Sequence, residues 1–142
     1  MTAPELITRV TALKLPKNSF IIFGAGPLAL AGLREAGDVD MQVTPETYYL
    51  LKRRGWKIRV KGPKDKPLVH ADFEAHQNWD FCSYQPSFEH LLATATIVDG
   101  VPFMALEEVR KWKASDNRPK DLADIELIDA YLKSRDNESI TL

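Results

Sequence analysis

A chain of 142 residues has the length of one domain, and 44% hydrophobic with 27% charged residues is the composition of a packed core, not of a disordered or fibrous chain. Cys82 is the only cysteine, which excludes an internal disulfide and a multi-cysteine zinc site. No apolar run approaches the ~20 residues of a membrane helix, and the start lacks the apolar stretch of a signal peptide. The expectation is therefore a single domain over residues 1–142, cytoplasmic and without a membrane partner.

Pro4 opens a helix in which Leu6, Ile7, Val10 and Leu13 fall at helical spacing. Asn18 and Ser19 interrupt it, and Ser19 to Phe23 reads as a short buried strand. Gly24-Ala25-Gly26-Pro27 follows, then a helical run from Leu28 to Glu35 with proline near its first turn. Asp38 to Val43 alternates with period two and reads as a strand. Thr44 caps a helix that starts at Pro45, and Gly55 ends it. Tyr48 and Tyr49 on that helix are expected to pack against the sheet.

Trp56 to Val60 and Leu68 to Ala75 read as two strands joined by the turn-rich segment 62–67. A helix is expected from Ser87 to Ala95, and Asp99-Gly100 between apolar residues marks a hairpin. Leu106 to Lys113 and Pro119 to Lys133 close the chain as two helices. In the last of them Leu122, Ile125, Ile128, Tyr131 and Leu132 form one apolar stripe. This order predicts an α+β (α/β) fold, a mixed sheet flanked by helices.

The chemistry points to the segment from Gly24 to Asp40. A glycine turn between strand and helix lets the backbone amides of Gly24, Ala25 and Gly26 approach an anion, and the helix end adds free N–H groups suited to a triphosphate. Asp38 and Asp40, two apart on a strand, project from one face. Paired carboxylates on a rigid face suit Mg²⁺ (or Mn²⁺), hard cations that take oxygen ligands. In the segment from Leu68 to His76, strict alternation would send Val69, Ala71, Phe73 and Ala75 inward. His70, Asp72, Glu74 and His76 would then share the opposite face. Asp72 or Glu74 could complete a carboxylate triad of the two-metal type, with His70 and His76 facing solvent or supporting the ligands.

In these pieces the chain resembles the nucleotidyltransferase superfamily, the group that shares the core of DNA polymerase β. More narrowly it is similar to small bacterial nucleotidyltransferases related to abortive-infection toxins. The segment from Phe23 to Val43 resembles the family's glycine turn, helix and Asp-x-Asp strand, and Asp72 to His76 its later acidic strand. The segment from Leu106 to Ile128 resembles the C-terminal helix pair with its Lys…Arg-x-Lys-Asp-Leu pattern. Pro27 departs from the pattern, standing where the family carries glycine or serine.

That resemblance implies a minimal nucleotidyltransferase fold in which Asp38, Asp40 and Glu74 or Asp72 are the catalytic carboxylates and hold the metal. It also implies that Lys113, Arg118 and Lys120 hold nucleotide phosphates while Asp121 and Asp124 orient the helix pair. The implied reaction moves a nucleoside monophosphate from an NTP to a hydroxyl, within a toxin–antitoxin pair that would bring an antitoxin partner. Without catalysis, the same fold would serve as a nucleotide-, RNA- or partner-binding domain.

The net charge of −1 conceals eight bases between Lys52 and Lys66 against one acid, Asp65. A local positive field of that kind attracts phosphates, which favours RNA as the acceptor over a protein or a small molecule. Lys61, inside the run, is expected on a strand or turn away from the triphosphate. Trp56, Trp79 and Trp112 read as packing residues, and Cys82 as a free buried thiol.

Overall fold

The computed structural model describes residues 1–140, the side chains of 137–140 aside. Six helices, α1 (Ala3–Ala12), α2 (Ala25–Leu30), α3 (Pro45–Arg53), α4 (Phe88–Thr94), α5 (Leu106–Asp116) and α6 (Pro119–Ile140), flank one sheet. Its strands are β1 (Phe20–Phe23), β2 (Val39–Val43), β3 (Lys57–Ile58), β4 (Leu68–His70), β5 (Phe73–His76), β6 (Thr96–Val98) and β7 (Val101–Phe103). They lie in the order β3-β4-β5-β2-β1-β7-β6. The β2–β5 and β1–β7 pairs are parallel and the others antiparallel, so this is an α+β fold with a mixed sheet. Among the described residues no helix is long and apolar enough to cross a membrane.

Alternation in β1 divides the core in two. Phe20 and Ile22 enter a cluster with Leu6, Val10, Val39, Met41, Leu51 and Trp56. Ile21 and Phe23 enter the other, with Leu28, Trp79, Leu91, Val109, Trp112 and Ile128. A strand buried on both faces reads as a continuous apolar run, as Phe20 to Phe23 does. The caps act as their residue types require: the hydroxyls of Thr2, Thr44 and Ser87 each accept the N–H three residues on. Asp99 and Gly100, both with positive φ, make the tight turn between β6 and β7.

Four expectations need correction. Leu68 to Ala75 is not one strand but the hairpin of β4 and β5, turned at Ala71, whose φ is 50°. No glycine or proline marks that turn, and alternation alone does not reveal it. The helix after the glycine turn ends at Leu30, because Gly32 leaves the right-handed region with φ 75°. Tyr49 is 61% exposed, while Tyr48 alone packs inward and donates from its hydroxyl to the Lys66 carbonyl. In α6 the predicted stripe fails at its first turn: Leu122 is exposed, and Asp121 and Asp124 take the buried positions ahead of Ile128.

Gly26 shows what α2 requires of its sequence. A Cβ there would fall on the Ile22 side chain, so the small residue lets the helix press against β1. Gly26→Ala should therefore destabilise the fold by ~1–3 kcal/mol despite alanine's better helix propensity, as overpacked cores do. Urea unfolding of the two proteins measures it; equal or greater stability in the variant would contradict the packing role.

Candidate metal and nucleotide site

Parallel pairing of β2 with β5 sets Asp40 directly beside Glu74. Asp38 precedes the first residue of β2 and adds a third carboxylate at the strand's mouth. One oxygen from each of Asp38, Asp40 and Glu74 falls within 4.8 Å of the others, a donor set for a hard divalent cation. Of the two acids open for the third position, Glu74 is the one that lies in this cluster. Asp72 belongs to the β4–β5 turn, where its carboxylate accepts from Arg9 Nη1 at 2.9 Å and its carbonyl from the Val39 N–H. It takes no part in the acidic cluster.

Gly24 makes room for this arrangement. Its φ of 67° lies in the left-handed region, and a Cβ there would collide with Asp40 Oδ2. The Gly24–Ala25 backbone and the three acids open onto a cleft of ≈ 690 Å³, within the usual size of a small-molecule site. Gly26 is buried and acts in packing, as described above.

Like charges held close must be compensated, and the two strand carboxylates are compensated differently. Burial, then Asp38 and Glu74, push Asp40 up to about 7, with Lys61 and Lys113 opposing. Glu74 moves the other way, to about 2, because His76 bonds it at 3.0 Å and Lys61 forms an ion pair with it. His76 is buried, and its other ring nitrogen lies 3.8 Å from Asp65. Lys61 is therefore not remote from the expected nucleotide site; it lies in its wall. His70 is exposed and stacks on Trp56, away from the acids.

The α5–α6 pair supplies the opposite wall. Lys113 is buried, with its ammonium 2.9 Å from Asp124 and 3.5 Å from Asp121. Arg118 pairs with Asp121 at 2.8 Å, and Arg34 meets Asp124 with two hydrogen bonds of 2.8 Å each. Lys120 is exposed at the rim and lines the same cleft. Burial alone would raise Asp124; bonds from Arg34 and Lys113 hold it below the usual carboxylate range. Phe23, Phe81 and Trp112 form an apolar part of the lining, and the Trp112 indole N–H is buried with no acceptor among the described residues.

Arg34, Lys61 and Asp65 thus join the site although alternation and motif spacing did not single them out as working residues, whereas His76, which alternation put on the acidic face, supports Glu74. For Lys61 the local basic run was a signal, but its position was not. No protein family matches this chain, and no curated protein or solved structure matches it either.

A pH dependence follows from Asp40. With its native pKa raised to about 7 from an unfolded value near 4, the folded state binds this proton more tightly than the unfolded state. The contribution to stability is full at acid pH, is lost as pH rises through that window, and is flat above it. Asp40→Asn, which cannot ionise, should gain stability relative to the parent protein across that window when chelator removes divalent ions. Thermal melts over a pH series measure the difference, and a pH-independent difference would remove Asp40 as the perturbed group.

Proposed function

We propose that this protein is a metal-dependent nucleotidyltransferase, moving a nucleoside monophosphate from an NTP to a hydroxyl acceptor. The observation that carries the reading is the convergence of Asp38, Asp40 and Glu74 on one cleft whose far wall presents Arg34, Lys113, Arg118 and Lys120. An acidic cluster and several bases lining one cleft suit a ligand made of divalent cation and polyphosphate.

The donor set fits Mg²⁺ or Mn²⁺: it is all oxygen, it is crowded with negative charge, and a cation there would favour the ionised form of Asp40, which is raised to about 7 without one. Asp38, Asp40 and Glu74 would hold the ion, which when bound supplies Lewis-acid activation of the acceptor hydroxyl and neutralises phosphate charge. The hydroxyl oxygen forms a bond to the α-phosphorus while its proton passes to solvent, the bond from that phosphorus to the bridging oxygen breaks, and pyrophosphate leaves. His76 holds Glu74 ionised and oriented for its part. Arg118 and Lys120 offset charge on the phosphate oxygens, and Lys113, fixed by two aspartates, contributes field from a set position. The apolar lining of Phe81 and Trp112 offers a nucleobase a place to lie, and the unpaired indole N–H a donor.

A second reading, a catalytically quiet nucleotide- or partner-binding domain, is favoured by the engagement of the Lys113 ammonium with Asp121 and Asp124. One experiment separates the two. Protein, Mn²⁺ and each α-labelled NTP are incubated with total cellular RNA and protein, using the parent chain and Asp40→Asn. Transfer by the parent and a loss of roughly a hundredfold or more in the variant are expected, since one ligand charge disappears with almost no change in volume. Circular dichroism controls for folding. Equal labelling by a folded Asp40→Asn would refute the mechanism, while nucleotide binding without transfer to any acceptor would support the quiet domain.

A further inference from the structure

Among the described residues, Lys61 is the member of the basic run between Lys52 and Lys66 that forms an ion pair with the acidic cluster, bonding Glu74. Its backbone is held firmly. The Arg59 N–H donates to the Pro67 carbonyl at 2.9 Å and the Lys61 N–H to the Asp65 carbonyl at 2.8 Å, with a bridge between Gly62 and Asp65. Asp65 in turn faces His76, which shares the same Glu74 oxygen as Lys61. The loop is thus fastened at both ends beside the site, while the lysine side chain, 38% exposed, retains its flexible four-carbon stem.

A tethered ammonium and a free divalent cation are answers to the same electrostatic problem. Three carboxylates within 4.8 Å need positive charge, and Lys61 supplies one unit where an ion would bring two. Both cannot sit against Glu74 without repelling each other. The stem lets the ammonium swing away while the backbone stays in place, and phosphate in an occupied cleft would offer it a partner besides the Asp65 carboxylate in the same lining.

We propose that Lys61 is a tethered counter-ion of the carboxylate centre, neutralising Glu74 while no divalent cation is bound and turning to the triphosphate once one is. This rests on the metal-dependent reading above. It makes Lys61 a switching contact between two ligands rather than a surface base.

The test is calorimetric titration with Mn²⁺ alone and then with ATP at saturating Mn²⁺, on the parent chain, Lys61→Met, Lys61→Arg, Lys57→Met and Asp40→Asn. Lys61→Met should bind Mn²⁺ roughly three- to tenfold more tightly and ATP more weakly by a similar factor. Lys61→Arg, which keeps the charge, should stay near the parent in both. Lys57→Met, on the exposed edge strand, should change either affinity by less than about twofold. Weaker or unchanged Mn²⁺ binding in Lys61→Met overturns the proposal, as do equal shifts in Lys57→Met, which would reduce the effect to the general field. If Asp40→Asn loses Mn²⁺ while Lys61→Met matches the parent, the carboxylate centre stands and the counter-ion role falls. If neither the parent nor Lys61→Met binds Mn²⁺, the metal reading itself falls and takes this proposal with it.

Discussion

The adjacency of Asp40 and Glu74 across the β2–β5 pair is the constraint around which the rest of this half of the molecule is arranged. Neighbouring strands lie ~4.8 Å apart, so two acids in register are close whatever their rotamers. Asp38, just outside the strand, adds to the repulsion. A slip of one residue in β5 would turn Glu74 toward the apolar cluster of Val39 and Met41 and bring Phe73 or Ala75 to the cleft. The register is protected because Phe73 and Ala75 are themselves buried on that apolar side. Apolar residues on one face thereby hold charged ones in place on the other.

Around this pair the compensation is layered. His76 and Lys61 act on Glu74 from the strand and the neighbouring loop and hold it ionised, while burial and its acidic neighbours push Asp40 up to about 7. The helix pair answers with Lys113, which is itself enclosed by Asp121 and Asp124. Removing one partner of a buried ion pair leaves a charge without solvent or counter-charge, at a typical cost of ~3–5 kcal/mol. These ion pairs join α5 to α6, and they satisfy the buried aspartates at the start of α6. Arg34 extends the network to the segment after α2, joining the two ends of the cleft through Asp124.

Local signals made much of this visible in the sequence, and tertiary ones hid the remainder. The strand, the glycine turn, the presence of a helix after it and the aspartate strand were legible because each carries its own chemistry: a continuous apolar run, a residue tolerant of positive φ, a proline in the first turn, period-two alternation. The helix's bounds, Ala25–Leu30, were not. The hairpin at Asp99-Gly100 was legible for the same reason. The turn at Ala71 was not, because neither Ala71 nor Asp72 announces it, and the alternation through Phe73 and Ala75 looked unbroken. That error made Asp72 and Glu74 seem equivalent, whereas the turn puts Asp72 beside Arg9. Lys61 and Arg34 were beyond reach because each acts on a residue distant in sequence. A basic run shows that charge is present without showing which member of it turns inward.

The apolar part of the cleft explains why so much charge can be effective there. Phe23 packs edge-on to His76 and Trp112 and lies 4.8 Å from Trp79, and Phe81 lies 4.7 Å from His76. This aromatic group underlies the acidic strand ends and the Lys113 ammonium, which sits 5.0 Å from the Trp112 ring centre. Low polarity beside the charges excludes water and strengthens each interaction between them, so burial first, and then repulsion from Asp38 and Glu74, raise Asp40. In open water the same carboxylates would ionise independently and hold a cation weakly. Set against aromatic rings, the three carboxylates repel one another more strongly, and the positive charge of Lys61 beside Glu74 relieves part of that repulsion.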